Sequence, residues 1–287
     1  PINAEINILY VRFPRILGAG LAGMGLSLSG IIFQSILKNP MAEPYTLGVS
    51  SGAALGAALS IILPVSIPLL PVIYKTPLFA LTGAVLSAIS VIFISGNSNN
   101  TNKLILFGIS FNFFLSALLT LAISFNRQKS SDIIFWTLGS FTTMNYFKII
   151  LILLFLIIAI VISLILAKEL NLFTLGETTA KTLGLNIKKY RIILLATASI
   201  LTGIIVAFSG IIGFVGLIIP HLIRIYTGSE NKRVISIAVP IGGIFLIICD
   251  TIARVVIENE LPVGAITSLV GAPLFIYLLR KGRSSWG

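Results

Sequence analysis

Charge is what this sequence has least of. Asp, Glu, Lys and Arg make up 10% of its 287 residues, and only 9 of those side chains are acidic. A soluble domain of that length cannot cover itself with so few charges, which excludes an ordinary globular protein. Cysteine occurs once, at Cys249 inside an apolar run, so an intrachain disulfide and a cysteine cluster for metal are excluded. Histidine also occurs once, at His221, which excludes a multi-histidine metal site. There is no Ser-His-Asp set and no phosphate-binding Gly-rich loop carrying Lys, so the chain has no site for hydrolysing a nucleotide by itself. An intramembrane enzyme would need a catalytic constellation that is not seen.

What fills the chain instead is hydrocarbon. It is 56% hydrophobic, with a mean hydropathy of +1.06. That is a polytopic membrane protein, an all-α transmembrane bundle, because spanning a bilayer takes roughly 20 apolar residues per helix. About nine apolar runs read as spans: Asn3–Leu37, Val49–Leu63, Thr76–Ser95, Asn102–Phe125, Phe147–Leu166, Lys188–Phe208, Leu217–Tyr226, Asn231–Val255 and Ala265–Gly282. Val49–Leu63 and Leu217–Tyr226 are too short to cross alone at ~1.5 Å per residue. The flanking segments Asn39–Gly48 and Gly210–Gly216 must then enter the membrane depth as irregular backbone, which is tolerated only against protein or a water-filled cavity. Gly and Ala recur at spacings of four in Gly18–Gly25 and Gly52–Gly56, faces that suit close helix packing within one subunit or a dimer interface. No internal repeat is evident. The chain begins at Pro1, and its first residues form neither a signal peptide nor a complete first span, which implies a segment upstream.

The net charge of +11 fits membrane topology better than nucleic acid. Alternating spans place 13 basic residues on the side of Lys38, Lys103, Lys181 and Arg224, and 7 on the side of Arg12, Arg15 and Arg254. The first side is therefore expected to be cytoplasmic, and with it the C-terminus. That side also carries a polar island, residues 175–185. A short helix Glu177–Leu183 is expected there, with Glu177 at its start, Lys181 near its end and Gly184 terminating it, each charge complementing the helix dipole. The residues alone leave two readings: an interfacial helix on the headgroups, or a docking element for a soluble partner. Arg12 and Arg15 share a face if helical. With Arg254 they form either headgroup anchors or an electropositive outer rim for an acidic partner. Asp250 stands one turn from Arg254, a spacing for an ion pair. It is also the main candidate for an ion-coupled secondary transporter. Asp132, Glu258 and Glu260 read as solvated loop charges. His221 reads as structural rather than as a proton relay.

The arrangement resembles the FecCD-type permease family, the membrane subunits of ABC importers for iron siderophores, haem and cobalamin. The resemblance rests on Arg12-Phe-Pro-Arg-Ile-Leu17, Leu28-Ser-Gly30 with Gln34, Asn39-Pro-Met-Ala-Glu-Pro44, Leu47–Gly56, Leu175–Leu185, Gly210–Arg224, Asp250–Arg254, Glu260–Gly264 and Gly271–Ile276, in that order. It covers nearly the whole chain as one transmembrane permease domain, 1–287. It implies a BtuC-like bundle of ten helices in the family, of which about nine are here and the first would lie upstream. It also implies an importer that moves an iron chelate by alternating access, with cobalamin or another metal complex or oxyanion behind it.

The resemblance assigns roles as well. Gly176, Glu177, Thr178, Thr179, Ala180, Lys181, Thr182, Leu183, Gly184 and Leu185 match a coupling helix seated in a groove of the ATPase. Arg12, Arg15 and Arg254 match arginines that dock an extracytoplasmic binding protein. Asn39, Met41, Thr101 and Asn102 match a cytoplasmic gate, although Asn99-Asn-Thr-Asn-Lys103 departs from the family's Ser/Thr-rich form. Asn102–Phe125 and Ala265–Gly282 match the helices lining the pathway. Pro220, His221 and Arg224 match a signature whose role the resemblance does not supply. The implied partners are two ATPase subunits, a second permease copy or paralogue, the binding protein and membrane lipid, with no nucleic acid. ATP and magnesium would reside on the ATPase, and this chain would bind no cofactor or metal.

Overall fold

A computed structural model describes residues 8–65, 71–95, 101–256 and 260–280. Every regular element among them is helical, as a bilayer demands of a chain that must satisfy its own backbone hydrogen bonds. A π-helical turn, Ile8–Arg12, leads into α1, Phe13–Leu37. Then come α2 (Val49–Ile62), α3 (Val72–Ser95), α4 (Thr101–Phe125), α5 (Ser130–Thr137) and α6 (Tyr146–Ile165). The order continues with α7 (Ala167–Leu175), α8 (Glu177–Thr182), α9 (Ile187–Ser209), α10 (Val215–Thr227), α11 (Asn231–Val255) and α12 (Val263–Arg280). Among the described residues six helices are long and apolar enough to cross a membrane, and α2, α10 and α12 are shorter apolar helices. The expected spans match these within a few residues. Two short helices, α5 and α7, were not foreseen. The expectation of an upstream segment and the charges Glu258, Lys281 and Arg283 lie outside the described residues.

The centre of the bundle is α1. In its most apolar stretch 78% is buried inside the chain, against 17% for α4, so α4 turns most of its surface outward. Small residues make that centre possible. A Cβ at Gly23 would overlap the Gly242 carbonyl on α11, and one at Gly30 would overlap Gly216 on α10. Gly52 and Gly56 meet Gly83 and Phe79 on α3 in the same way. The glycine faces are thus consumed in close contacts within the chain.

The two short helices α2 and α10 each follow a break in regular structure. The first break, after the left-handed Lys38, contains a 3₁₀ turn, Pro44–Leu47. The second ends at Phe214, whose φ of +69° is uncommon for a residue with a Cβ. The breaks satisfy one another. The Tyr45 hydroxyl donates to the Ile212 carbonyl and accepts from the Ile212 N–H (3.2 Å), and Glu43 accepts from the Phe214 N–H. Backbone groups freed from helices are thereby paired inside protein.

Candidate coupling, docking and gating sites

At one end of the bundle, α7 and α8 form a bent pair. Gly176, with φ of +102°, separates them, and Gly184, with φ of +86°, follows α8, both values that a side chain would strain. The expected helix ends at Thr182, one residue early, with Leu183 as its cap. Ala180 (0% exposed) and Leu185 (7%) hold α8 to the core, while Leu175 (53%) and Leu183 (59%) stand in the open. Leu185 does not share the open face of the other two leucines: it is an anchor, because the turn at Gly184 redirects the chain inward. Thr178, Thr179, Lys181 and Thr182 are exposed. Glu177 is engaged by Arg191 of α9. The hollow beside α8 is about 560 Å³ and is lined by Glu177, Thr178, Lys181 and Gly184–Lys188.

The preceding α7 was missed, although its sequence carries a signal. Ala167, Leu170 and Phe173 are buried at spacings of three, with Lys168, Glu169 and Asn171 between them. Behind α7 lies a buried polar cluster. The Arg224 guanidinium, 1% exposed, donates to Ser35 Oγ (2.8 Å) and Asn231 Oδ1 (2.7 Å). Asn231 in turn donates to Asn171 on α7.

The opposite end carries the outer arginines, and here one expectation changes. Arg12 is exposed, but Arg15 is only 6% exposed. Its guanidinium binds Asp250 (2.9 Å) and Glu260 (2.8 Å), and Arg254 holds the other Asp250 oxygen (3.3 Å). Arg15 is therefore not part of an open rim. Spacing alone cannot say which face of a helix points inward, and the π-turn that ends at Arg12 changes the angular step before Arg15. Glu260 is not a free loop charge either. Asp250, fully buried between two arginines, is saturated, which argues against its serving as a coupling-ion site.

In the first break the Asn39 side chain accepts from the Met41 N–H (2.9 Å), and Met41 is 51% exposed. Asn102 is exposed on the first turn of α4, where Thr101 is described only in its backbone. Pro220 lies within α10 and cannot bond the carbonyl four residues back, that of Gly216. Gln34 of α1 supplies the missing donor, reaching the carbonyls of Gly216 (3.3 Å) and Leu217 (3.0 Å). His221 is buried and packs edge-on to Phe275 of α12, with ring centres 6.0 Å apart. Its Nδ1 makes no hydrogen bond among the described residues, and its contact with Phe275 is one of packing.

A model of the FecCD transport family matches residues 3–281. The chain belongs to that family. It is 39% identical over 285 residues to YvrB, an uncharacterized ABC transporter permease of Bacillus subtilis (strain 168), covering 96% of this chain and 80% of the relative. It is 35% identical over 282 residues to the cobalamin import permease BtuC of Halobacterium salinarum, covering 98% and 75%. A solved structure described as an inward-facing metal-chelate type ABC transporter superposes with a TM-score of 0.90 at 34% identity, covering 98% of this chain and 89% of that one. As a FecCD member the protein is a membrane permease of an ABC transporter and not itself an enzyme.

The FecCD resemblance drawn from short motifs thus holds for nearly the whole chain. Among the described residues no group of three or more His, Cys, Asp or Glu is placed to hold a metal ion.

Proposed function

We propose that this permease forms the pathway of an importer for a metal chelate, an iron siderophore or haem first, and that α8 docks a separate ATPase subunit. The observation that carries the docking is the pair Leu175 and Leu183, both more than half exposed, which flank the short polar helix α8 on either side. The ion pair to Arg191 and the buried Ala180 fix that helix to α9 and the core. Exposed leucines on a fixed element suit a groove in a soluble partner.

In this reading α8 and the C-terminus face the cytoplasm. Two ATPase subunits bind ATP and magnesium, two permease copies enclose the pathway, and an extracytoplasmic binding protein docks at Arg12 and Arg254. The gate combines Asn39 and Met41 with Thr101 and Asn102. The wall expected of the pathway supports that cargo. From Leu104 to Phe125 α4 carries no charged side chain, and it exposes Leu106, Phe107, Phe113 and Phe114. Such a wall suits a bulky chelate that encloses its metal rather than a bare cation, which would need oxygen or nitrogen ligands in the wall.

The test is reconstitution with the cognate ATPase and binding protein in vesicles, offering a ferric siderophore, haem and cobalamin in turn. ATP-dependent uptake of an iron chelate is expected. Leu183→Asp should lower ATPase co-purification by about tenfold or more, since it puts a charge into an apolar contact. Uptake that persists without the ATPase would overturn the reading, and uptake of cobalamin alone would overturn its cargo.

A further inference from the structure

Arg224, Asn231, Ser35 and Asn171 have no place in docking, gating or cargo binding, yet they form the most completely buried polar cluster at the α7–α8 end. Asn231 is 0% exposed, Ser35 0% and Arg224 1%. The bonds run in series. Both the backbone N–H and the Nδ2 of Asn231 donate to one oxygen, Asn171 Oδ1, at 2.8 and 2.9 Å. The Oδ1 of Asn231 accepts from Arg224 Nη2 at 2.7 Å and from Ser35 Oγ at 2.9 Å. Arg224 Nη2 also reaches Ser35 Oγ at 2.8 Å, and its Nη1 reaches the Ser229 carbonyl. Helices α7, α11, α10 and α1 thus meet at one carboxamide.

Two features argue that this is more than a contribution to stability. Burying a guanidinium is costly, and apolar packing of the same volume is commonly at least as stable, so stability alone does not explain its presence. Directional bonds do what apolar contacts do not: two N–H groups on a single oxygen fix both the distance and the orientation of Asn171. The far end of α10 has a matching contact. Leu217 and Ile218 cluster with Phe275 of α12, and His221 packs on the same ring. Gly271 of α12 lies so close to Phe214, before α10, that a Cβ there would meet its side chain at 2.8 Å. Helix α10 is therefore a 13-residue rod, held to α7 by way of Arg224 and Asn231 of α11, and to α12 through Leu217, Ile218 and His221.

We propose that Asn171, Asn231 and Arg224 are positioning residues that carry displacement of the α7–α8 pair to α10, and through α10 to α12. This gives Arg224 and His221 of the family signature a mechanical role, and it rests on the reading that α8 docks an ATPase. Two other ties hold the α7–α8 pair in place, Glu177 to Arg191 of α9 and Lys38 Nζ, at the end of α1, to the Leu175 carbonyl at 3.4 Å, and neither bond is made by a residue of α10. Loss of Asn171 should therefore leave docking intact and interrupt transmission.

The experiment uses the full transporter in vesicles with Asn171→Ala and Asn171→Asp, reading cargo molecules moved per ATP hydrolysed. Spin labels at Thr174→Cys on α7 and Tyr277→Cys on α12 report the distance between the two helices with and without ATP. Asn171→Ala should still bind the ATPase and hydrolyse ATP, move about fivefold less cargo per ATP or lower, and lose the nucleotide-dependent distance change seen in the parent. Asn171→Asp keeps the acceptor oxygen and should stay within about twofold of the parent. Parental cargo per ATP in Asn171→Ala, or an unchanged spin-label response, overturns the linkage. If Asn171→Ala does not assemble, Asn171→Asp decides, and its uncoupling would equally overturn the linkage. A parent transporter with no ATP-dependent uptake overturns the functional reading itself, and the linkage with it.

Discussion

At the scale of single residues, the buried charges separate by environment. Arg15 and Asp250 are 6% and 1% exposed, whereas the Glu260 side chain is 44% exposed. Breaking a buried pair leaves an uncompensated charge and costs about 3–5 kcal/mol, while an exposed partner contributes about 0–1 kcal/mol. Arg15→Met should therefore lower the unfolding midpoint of the detergent-solubilised protein strongly, and Glu260→Gln only slightly. Thermal melts of the two variants check this, and equal shifts would contradict it. The sequence showed that Asp250 and Arg254 are one turn apart and so could pair. It could not show that Arg15, 235 residues away, is the principal partner, because only packing of α1 on α11 brings them together.

At the scale of elements, α10 is the instructive case. Its length and its flanking glycines marked it in the sequence as a broken span, and the structure shows what makes the break tolerable. Pro220 leaves the Gly216 carbonyl without its helical donor, and Gln34 fills the gap from α1. Gln34→Leu should destabilise the protein by about 1–3 kcal/mol, the cost of leaving a buried acceptor unpaired. In a Pro220→Ala background the same change should cost less, because the alanine N–H restores the bond to Gly216. A double-mutant cycle read by thermal or denaturant unfolding measures the difference, and strict additivity would show that Gln34 does not act on this carbonyl. Helix α7 shows the reverse failure. Its amphipathic spacing was present in the sequence, but the apolar run of α6 leads straight into it and hid the boundary.

At the scale of the whole molecule, the polar clusters sort to two ends. Arg15, Asp250, Arg254 and Glu260 mark one end, and Lys38, Asn171, Glu177, Arg191 and Arg224 mark the other. With Arg15 engaged inside and Arg254 held by the same Asp250, the most open docking charge is Arg12. Arg12→Glu should weaken association with the binding protein by about tenfold or more at low salt, with the gap narrowing as salt screens exposed charge. Titrations at two ionic strengths measure it, and unchanged affinity at low salt would remove Arg12 from the interface. Arg15→Glu and Arg254→Glu do not belong in that test, since each would set a carboxylate against the buried Asp250 and disturb the fold first.

Composition and spacing by themselves determined the class of this molecule, its approximate spans, its two broken helices and the polar island. Those follow from local requirements: how much hydrocarbon a bilayer needs, and how many residues a helix needs to cross it. The order of short motifs, by resemblance, also supplied the family. Only the tertiary structure decided which charges are buried, that the two breaks pair with each other through Tyr45 and Ile212, and that Arg224 is tied to Asn171. These are contacts between residues far apart in the chain. In a membrane protein nearly every helix face is apolar, so hydropathy cannot tell a face that meets lipid from one that meets another helix.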